Sequence, residues 1–451
     1  MPDFRNMTLQ ELTCQEGYDC ECGQHHACPI PYLNISSGAI TDTPNMVKTL
    51  GAKYPFVLCD ENTYKAAGET VVTLLKEANI PCKLHILPGE RISPAEWEAG
   101  SVLYAYDPKC DLVLGVGSGV INDLCKVLAH AVGKQSAIVG TAPSMDGYAS
   151  NSAAMEVGKV KVSLYNQMPA GILLDTKVLS NAPMRMLWAG LGDIVAKYCA
   201  LCEWKISHAV IDEYYCEQIA DMMRGAMEKV VAAAPGIPTR EESAMQAIAE
   251  GLVLAGIAMS YAKISRPASG LEHYFSHMWE MMALERGTQY DLHGIQVGVG
   301  TLLTLKIFER LKTVIPDEKT ARAHMDGFCE ADWEAQVRRI FGKTADEIIR
   351  IENATHKNSK ERFEKRIENI LSKWDVIVRA MEDELPNFSD LYETMKQTGM
   401  PLTPSDLNIP KKDVVDAFLG ARDIRDKYLC CSLIWDLGLT DDFAQFVETI
   451  A

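Results

Sequence analysis

The sequence lacks an excess of basic residues. Its 44 lysines and arginines are outnumbered by 61 aspartates and glutamates, which leaves a formal net charge of −17. Binding to nucleic acid or to anionic lipid depends on a basic surface, so this charge argues against a general polyanion-binding protein. We therefore expect neither a nucleic-acid partner nor a membrane partner.

The sequence also lacks long apolar runs, and we expect no secretion signal. No stretch approaches the ~18 uninterrupted apolar residues of a membrane-spanning helix. The first residues, MPDFRNMTLQELT, contain neither the basic nor the apolar region of a signal peptide. Hydrophobic residues make up 47% and charged residues 23%, as in an ordinary globular protein. We expect a soluble cytoplasmic protein, and the length of 451 residues favours two domains.

Disulfide bonds are a further feature that we expect to be absent, although the chain has 14 cysteines. Disulfide frameworks are typical of short secreted chains, whereas several cysteines here lie in apolar helix or strand patterns. They are predicted to be small buried thiols, as at Cys59, Cys125, Cys199 and Cys430. Cys199 and Cys202 form a C-x-x-C pair inside a helical run, where packing is favoured over redox chemistry.

The N-terminal residues 20–28 have a different pattern, CECGQHHAC. Cysteine and histidine at this spacing are compatible with a small zinc site. The alternative, which the sequence alone favours, is that the segment leads into the first strand of the domain.

Residues 54–178 alternate short apolar runs with helical periods. The apolar runs include YPFVLCD, CKLHIL, CDLVLGV and SAIVG, and amphipathic stretches separate them. This alternation predicts βαβ units around a buried parallel sheet, which is a nucleotide-binding layout. Residues 157–178 are predicted to add a strand or hairpin and then one more sheet strand.

The chain changes character near residue 178. Alanine-rich segments beyond it carry apolar residues at helical spacing, with almost no strand signal. We predict an α/β N-terminal domain with a mainly parallel sheet at residues 1–178, in which residues 1–50 form an extension and the first strands. An all-helical C-terminal domain is predicted at residues 179–451.

A glycine-rich turn, GVGSGVIND, occupies residues 115–123 between a strand run and a helix. Glycines there let the backbone approach a pyrophosphate, and the helix N-terminus supplies positive partial charge. The spacing is not the Rossmann G-x-G-x-x-G, and a tight turn without a ligand fits the pattern equally well. Asp60, at the end of YPFVLCD, either accepts hydrogen bonds from an adenosine ribose, which would favour NAD over NADP, or caps a helix.

Histidine is scarce, yet three of the ten histidines fall within 21 residues: His273, His277 and His293. The first two are four residues apart, so a helix places both imidazoles on one face. Together with Asp193 in the run AGLGDIVAKY, they suit a divalent metal. An isolated histidine on a helix is more often solvated or hydrogen-bonded, so spacing alone leaves both interpretations open.

Five segments occur in an order that resembles the iron-containing alcohol dehydrogenase-like superfamily, which includes dehydroquinate synthase-like proteins. They are GVGSGVIND, GTAPSMDGYAS, PAGILLDTKVLSNAPMRMLWAGLGD, SGLEHYFSHMWE and LHGIQVGVGT. Within the superfamily, the sequence is most similar to the sn-glycerol-1-phosphate dehydrogenases, especially the bacterial branch. The resemblance covers about residues 20–440, and the combination of segments is more specific than any one of them.

The resemblance implies a role for each matching residue. The implied cofactor-binding residues are Gly117, Ser118, Gly119, Asn122, Asp123, Thr141, Ser144 and Ser150, and the pattern of the glycine turn and its neighbouring strand adds Gly115 and Asp60 as candidates. The implied metal ligands are Asp193, His273 and His293, and the implied substrate-binding residues are Asp146, Asp193 and His277, of which Asp193 and His277 are also the implied catalytic residues. Lys197 stands where iron-dependent relatives have a fourth ligand histidine, which points to the three-ligand, zinc-type branch.

The implied activity is the reduction of glycerone phosphate, a phosphorylated triose, to sn-glycerol 1-phosphate. The implied cofactors are NAD(H), with NADP(H) as an alternative, and one divalent metal, zinc in the first place and nickel or iron otherwise. A three-ligand metal leaves positions open for substrate oxygens, and His277 is placed to pass the proton. A homo-oligomer, a dimer or larger, is also expected.

The substrate phosphate has no clear partner in the sequence. Arg422 and Arg425 are predicted to lie near one another on a helix, where Asp423 and Asp426 would neutralise them as surface pairs. Lys161 is the other candidate.

Three function classes remain open at this point: a reductase, a lyase and a binding protein. The reductase of a phosphorylated triose is favoured, and a polyol or glycerol dehydrogenase is the runner-up within the reductase class. A dehydroquinate synthase-like lyase is less favoured, because the SMDGYAS segment lacks a lysine-rich loop. A binding protein on a retired enzyme scaffold is disfavoured by the intact set of Asp193, His273 and His293.

Overall fold

The computed structural model describes residues 2–89, 91–158 and 160–451, and the chain forms two compact units. The first comprises Met1–Ile194 and Glu217–Ser265, and the second comprises Val195–Cys216 and Arg266–Ala451. The boundary predicted at residue 178 marks the change from strands to helices, but the units do not divide there. Helical segments beyond residue 178 belong with the sheet, because a parallel sheet needs helices on both of its faces.

Ten strands are present among the described residues. They are β1 Tyr18–Asp19, β2 His25–His26, β3 Tyr32–Ser36, β4 Pro55–Asp60, β5 Lys83–Leu87, β6 Leu112–Gly117, β7 Gln135–Gly140, β8 Ser152–Val157, β9 Val160–Tyr165 and β10 Gly171–Asp175. Six of them form one parallel sheet in the order β3-β10-β7-β6-β4-β5. The predicted parallel sheet is therefore confirmed.

The central strands follow directly from their apolar runs. Every residue of β4, β6 and β10 is buried, which is the pattern of a parallel sheet covered on both faces. On one face Val57, Leu114, Val139 and Leu173 join a common core, and none of them is exposed. Strands β8 and β9 form a separate antiparallel hairpin before β10. The sequence predicts a strand or hairpin from residue 157 onward, whereas the hairpin begins earlier, at Ser152.

The helices are numbered along the chain. They are α1 Leu9–Leu12, α2 Thr43–Thr49, α3 Glu61–Thr63, α4 Glu69–Glu77, α5 Glu96–Ala105, α6 Gly119–Val132, α7 Thr176–Ser180, α8 Met184–Val195, α9 Lys197–Ile211, α10 Glu217–Ala233, α11 Glu242–Ala262, α12 Leu271–Arg286, α13 His293–Leu311, α14 Glu318–Asp326, α15 Glu330–Phe341, α16 Ala345–Thr355, α17 Lys360–Ser372, α18 Trp374–Glu384, α19 Phe388–Gln397, α20 Lys411–Ala421, α21 Cys430–Asp436 and α22 Thr440–Ile450. Short 3₁₀ turns lie at Ala39–Asp42, Ala234–Gly236, Gly342–Thr344 and Pro404–Leu407, and a π turn at Tyr64–Gly68 joins α3 to α4.

The C-terminal part is helical, as predicted, and no strand follows β10 in the described part of the chain. Helix α12 shows how the second unit forms its core. Tyr274, Phe275 and Met278 are buried in that core. His273, His277 and Glu280, at the spacing of one helical face, are left to form a polar site.

Helix α11 is long and apolar enough to cross a membrane by length and composition, with a mean hydropathy of 1.3 over its most apolar window. Most of that window, 61%, is buried. Ile248, Leu252 and Val253 on this helix are fully buried, which is the behaviour of a core helix.

Candidate functional site

The glycine turn lies between β6 and α6, where the sequence predicts it. A Cβ atom on Gly117 would lie 2.5 Å from the Cβ of Ile121, and one on Gly115 would lie 2.8 Å from the Sγ of Cys125. Both positions therefore require glycine if α6 is to pack this closely against its strand. The first amide groups of α6, from Gly119 onward, have no carbonyl partner within the helix, which makes this end suited to an anion.

The turn lies at the point where the strand order of the sheet reverses. From β4 the chain continues to β5, which lies beside β4 at one edge of the sheet. From β6, which lies on the other side of β4, the chain continues to β7, which lies on the side of β6 away from β4. In open α/β sheets, ligands bind beyond the carboxyl ends of the strands at such a switch point. The structure thus places Asp60, at the end of β4, and Gly117, at the end of β6, at the same edge of the sheet.

Asp60 acts as a helix cap. Its Oδ1 accepts hydrogen bonds from the backbone N–H groups of Asn62 at 2.8 Å and Thr63 at 2.7 Å. The capping role that the sequence left open is present, and the contact with a ribose stays a prediction.

A buried lysine that the sequence analysis missed organises the segment after β7. The Nζ of Lys126 donates to the carbonyl oxygens of Gly147 at 2.6 Å and Ser152 at 3.0 Å, and to the Oγ of Ser150 at 3.3 Å. Asn122 donates from Nδ2 to the same Gly147 carbonyl at 3.2 Å. Asn122 and Ser150 are therefore held in a buried network, and their contacts with a cofactor stay predictions, as do those of the buried residues Thr141 and Ser144.

Asp123 belongs to the same network. Its Oδ2 accepts a hydrogen bond from the N–H of Ala154 at 3.1 Å, which fixes the start of the β8–β9 hairpin. Burial raises the pKa of Asp123 to about 6, while nearby Lys126 acts in the opposite direction. Burial likewise lowers the pKa of Lys126 to about 8. A carboxylate would repel a pyrophosphate, so these contacts favour an anchoring role for Asp123.

The first unit brings Asp146 and Asp193 together. The N–H of Asp146 donates to the Oδ2 of Asp193 at 3.0 Å, and Asp193 is almost fully buried on α8. Gly190 makes this approach possible, because a Cβ there would lie 1.9 Å from the carbonyl oxygen of Pro143. The glycine-rich run before Asp193 thus allows the backbone of α8 to approach Pro143 closely.

The three predicted histidines cluster within the second unit. The ring centroid of His293, at the start of α13, lies 5.3 Å from that of His273 and 5.4 Å from that of His277. The centroids of His273 and His277 are 6.4 Å apart. The spacing on α12 and the start of α13 therefore produce one group of imidazoles.

Two buried glutamates orient these rings, and the sequence analysis missed both. The Nδ1 of His273 lies 2.9 Å from the Oε1 of Glu272, and the Nδ1 of His293 lies 3.1 Å from the Oε1 of Glu280 and 3.0 Å from the Oγ of Ser276. A carboxylate at Nδ1 holds the proton there and leaves the Nε2 lone pair for a metal, which is the usual arrangement of ligand histidines. The donor set therefore fits a divalent cation. The i, i+3 spacing of His277 and Glu280 is the signal that could have revealed Glu280.

His277 has a different environment. Its Nδ1 lies 3.8 Å from the Oε2 of Glu280. Burial lowers the pKa of His277 to about 3, and the nearby charge of Arg425 acts in the same direction. The imidazole is therefore neutral at neutral pH. Donor atoms of His277, Glu280 and His293 lie within 4.8 Å of one another, so His277 is close enough to contact a substrate bound beside His293.

The two arginines that were candidates for binding the substrate phosphate differ in burial and in their partners. Arg422 and Arg425 are not on a helix, because α20 ends at Ala421 and a loop follows. Arg422 is buried, donates to Asn358 and Asp423, and lies 4.0 Å over the ring of Trp435, so it is a packing residue. Arg425 is exposed and has no ion-pair partner among the residues that the structure describes.

Further predicted positions lie on β9 and α9. Lys161 is on β9 in the first unit. Lys197 is fully buried on α9. Cys199 and Cys202 are fully buried on the same helix, and burial raises the pKa of both thiols well above the ordinary value, which suits packing rather than redox chemistry.

Comparison with known proteins gives consistent matches. Residues 34–183 match the sequence family described as iron-containing alcohol dehydrogenase. The glycerol-1-phosphate dehydrogenase of Halalkalibacterium halodurans is 32% identical over 295 residues, which cover 64% of this chain and 74% of that protein. The enzyme of the same name from Methanoregula boonei is 33% identical over 389 residues, which cover 86% and 84%.

The chain belongs to the glycerol-1-phosphate dehydrogenase family. The predicted family is therefore confirmed, and the chain is an oxidoreductase. Solved structures show the same fold at low identity. A glycerol dehydrogenase from Schizosaccharomyces pombe matches with a TM-score of 0.58 at 15% identity over 93% of this chain and 91% of that chain. An NADH-dependent butanol dehydrogenase from Thermotoga maritima matches with 0.57 at 16% over 95% and 100%.

In this family member, the residues that sequence reasoning missed are those that hold others in place. Lys126 fixes the segment after β7, Glu272 orients His273, and Glu280 orients His293. None has a motif of its own, and each is recognised by its burial and its partners.

Proposed function

We propose that this protein catalyses the metal-dependent, NAD(P)H-linked reduction of glycerone phosphate to sn-glycerol 1-phosphate. Membership of the glycerol-1-phosphate dehydrogenase family supports the reaction class. The single structural observation that carries the metal dependence is the pair of imidazoles whose Nδ1 atoms face buried carboxylates, leaving Nε2 of His273 and His293 for a cation.

The dinucleotide would be held at the turn between β6 and α6. The glycines bring the backbone close, the helix N-terminus favours the pyrophosphate, and the switch point of the sheet lies beside it. Asp60 at the end of β4 would lie near the adenosine ribose, which favours NADH over NADPH.

The metal would be held by His273 and His293 with Asp193 as the third protein ligand, and zinc is the ion that the donor set favours. Asp146 fixes Asp193 by donating its backbone N–H to Oδ2 at 3.0 Å. When bound, NAD(P)H supplies the hydride and the cation neutralises the charge that develops on the substrate's carbonyl oxygen.

His277 would contact the substrate and move its proton. Its pKa of about 3 keeps the ring neutral, so it does not store a proton as an imidazolium. A neutral imidazole can pass a proton between its two ring nitrogens, and Glu280 lies at the Nδ1 side.

Arg425 is the residue that we propose for the substrate phosphate. Its charge acts on His277, its side chain is exposed, and no described residue forms an ion pair with it. Arg425→Gln should raise the KM for glycerone phosphate at least tenfold while leaving turnover of unphosphorylated dihydroxyacetone unchanged. Lys161→Gln, the alternative candidate, is the matched control. An equal KM in Arg425→Gln and wild type would refute the assignment.

The substrate is tested by assaying glycerone phosphate, dihydroxyacetone and glycerol side by side with NADH and NADPH. We expect the highest kcat/KM for glycerone phosphate. A higher value for glycerol or dihydroxyacetone would instead identify a polyol dehydrogenase.

The metal assignment is tested by three alanine variants. His273→Ala and His293→Ala should each lose one equivalent of metal and all reduction activity, because each removes one of three ligands. His277→Ala should keep that metal and lose turnover. If His277→Ala loses the metal and His273→Ala keeps it, the division of roles between the two histidines is wrong.

Two further properties are proposed on the sequence alone. The protein is proposed to be a homo-oligomer and to be cytoplasmic, without nucleic-acid or membrane partners. Light scattering of the purified protein tests the first of these.

A further inference from the structure

A small hairpin lies at the N-terminus of the first unit, outside the site described above. Strands β1 and β2 pair antiparallel, with Tyr18 opposite His26. Between them, the N–H of Cys20 donates to the carbonyl of Gln24 at 3.0 Å, and the N–H of Gly23 donates to the carbonyl of Cys20 at 3.0 Å. Gly23 has a φ of +82°, which this tight turn requires.

The hairpin brings three metal-binding side chains to one point. Ligand atoms of Cys20, Cys22 and His26 lie within 4.8 Å of one another. The Sγ of Cys22 is 3.2 Å from the Nε2 of His26. Two sulfurs and an imidazole nitrogen at such distances are the donor set of a structural zinc site.

The ring of His26 is held in the orientation that a metal ligand requires, with Nε2 directed at the cysteines. Its Nδ1 lies 2.9 Å from the carbonyl oxygen of Tyr261, on α11. A carbonyl only accepts, so the proton is on Nδ1 and the lone pair of Nε2 points to the thiol of Cys22. The ring is fully buried, with the ring centroids of Phe4 at 5.6 Å and Tyr261 at 5.4 Å. This is the same outer arrangement that orients histidines at established metal sites.

We propose that Cys20, Cys22 and His26 bind a structural zinc ion, with Cys216 as the fourth ligand. Cys216 immediately precedes α10 in the chain. Gln218 in the first turn of α10 lies 3.4 Å, Nε2 to Oε1, from Glu21, the residue between the two cysteines. Two residues of chain span at most about 7 Å, so the thiol of Cys216 is tethered close to this pair.

The physical role of this ion is to hold the N-terminal extension. An isolated two-stranded hairpin is at best marginally stable in water, and each strand here has only two residues. A zinc ion would join the hairpin to the chain segment that enters α10. The site contains thiolates and no open catalytic position, so it would be separate in chemistry from the histidine and aspartate site proposed for the reaction.

The first test is the zinc content of the purified full-length protein, measured by elemental analysis. We expect wild type to bind two equivalents after incubation with zinc and dialysis. Cys22→Ser should bind one equivalent less, whereas Cys14→Ser, a control at a nearby cysteine outside the cluster, should bind as much as wild type. Unchanged zinc content in Cys22→Ser would overturn the proposal.

The test distinguishes this proposal from the proposed function. His273→Ala should lose only the catalytic equivalent and Cys22→Ser only the structural one. If His273→Ala keeps all its metal while Cys22→Ser loses one equivalent, the catalytic assignment fails and the structural site stands.

A second measurement does not depend on the folding of any variant. Cobalt bound by thiolates gives a sulfur-to-metal charge-transfer absorption, which an aspartate and histidine site lacks. Cobalt-substituted wild type should show this band. A wild-type protein that binds cobalt without the band would refute the thiolate site.

Discussion

Glu280 allows the sharpest test of how the histidine cluster is built. Its carboxylate is fully buried, its Oε1 is 3.1 Å from the Nδ1 of His293, and its Oε2 is 3.8 Å from the Nδ1 of His277. Glu280→Gln preserves the length and volume of the side chain but removes the charge. The amide oxygen can still accept a hydrogen bond from His293, so the change weakens the contact without creating a cavity.

The expected magnitude follows from these contacts. A hydrogen bond to a neutral acceptor is about half as strong as one to a carboxylate. Loss of such an outer partner typically lowers metal affinity by about 10–100-fold, which corresponds to about 1.4–2.7 kcal/mol. We expect Glu280→Gln to require 10–100-fold more zinc for half of its maximal activity, by the same principle.

The assay adds buffered zinc to the metal-depleted enzyme and measures the recovered reduction of glycerone phosphate. Activity reports the catalytic site alone, so zinc bound by the N-terminal cysteines does not enter the result. Glu309→Gln, an exposed carboxylate on α13, is the control and should behave as wild type. If Glu280→Gln and wild type are half-activated at the same zinc concentration, Glu280 does not orient a metal ligand.

Three further predictions concern the first unit. Gly117→Val should abolish NADH binding in a fluorescence titration, because even a Cβ would lie 2.5 Å from Ile121; unchanged affinity would remove the phosphate site from this turn. Asp60 should make kcat/KM higher with NADH than with NADPH, and Asp60→Ser should reduce that preference; a strong preference of wild type for NADPH would contradict this. The pKa of Lys126 is about 8 in the folded protein, against an ordinary value of 10.5. Between these two pH values the folded chain binds fewer protons than the unfolded chain, so the free energy of unfolding increases as the pH rises. Urea unfolding should show wild type gaining about 2 kcal/mol over Lys126→Met between pH 7.5 and 10, and a pH-independent difference would disprove the burial of its charge.

The sequence determined the parts of the protein that depend on local pattern. Buried apolar runs such as PFVLCD and LVLGVG specify parallel strands, because both faces of each strand are covered. The glycines of the turn specify the close packing of α6 on β6. The four-residue spacing of His273 and His277 places them on one face of α12. The family resemblance added the roles predicted for them, a metal ligand and a substrate contact.

Only the tertiary structure decided which residues hold others in place. Glu280 and His293 are 13 positions apart on different helices, and Lys126 reaches backbone atoms more than 20 residues away. Arg422 and Arg425 are equivalent in the sequence, yet one packs on Trp435 and the other is exposed. His26 meets the carbonyl of Tyr261 235 positions away, which turned an ambiguous cysteine pattern into an oriented ligand set. Helical periodicity reports which face of one element is apolar, whereas such contacts depend on how separate elements pack, and that information is not local in the chain.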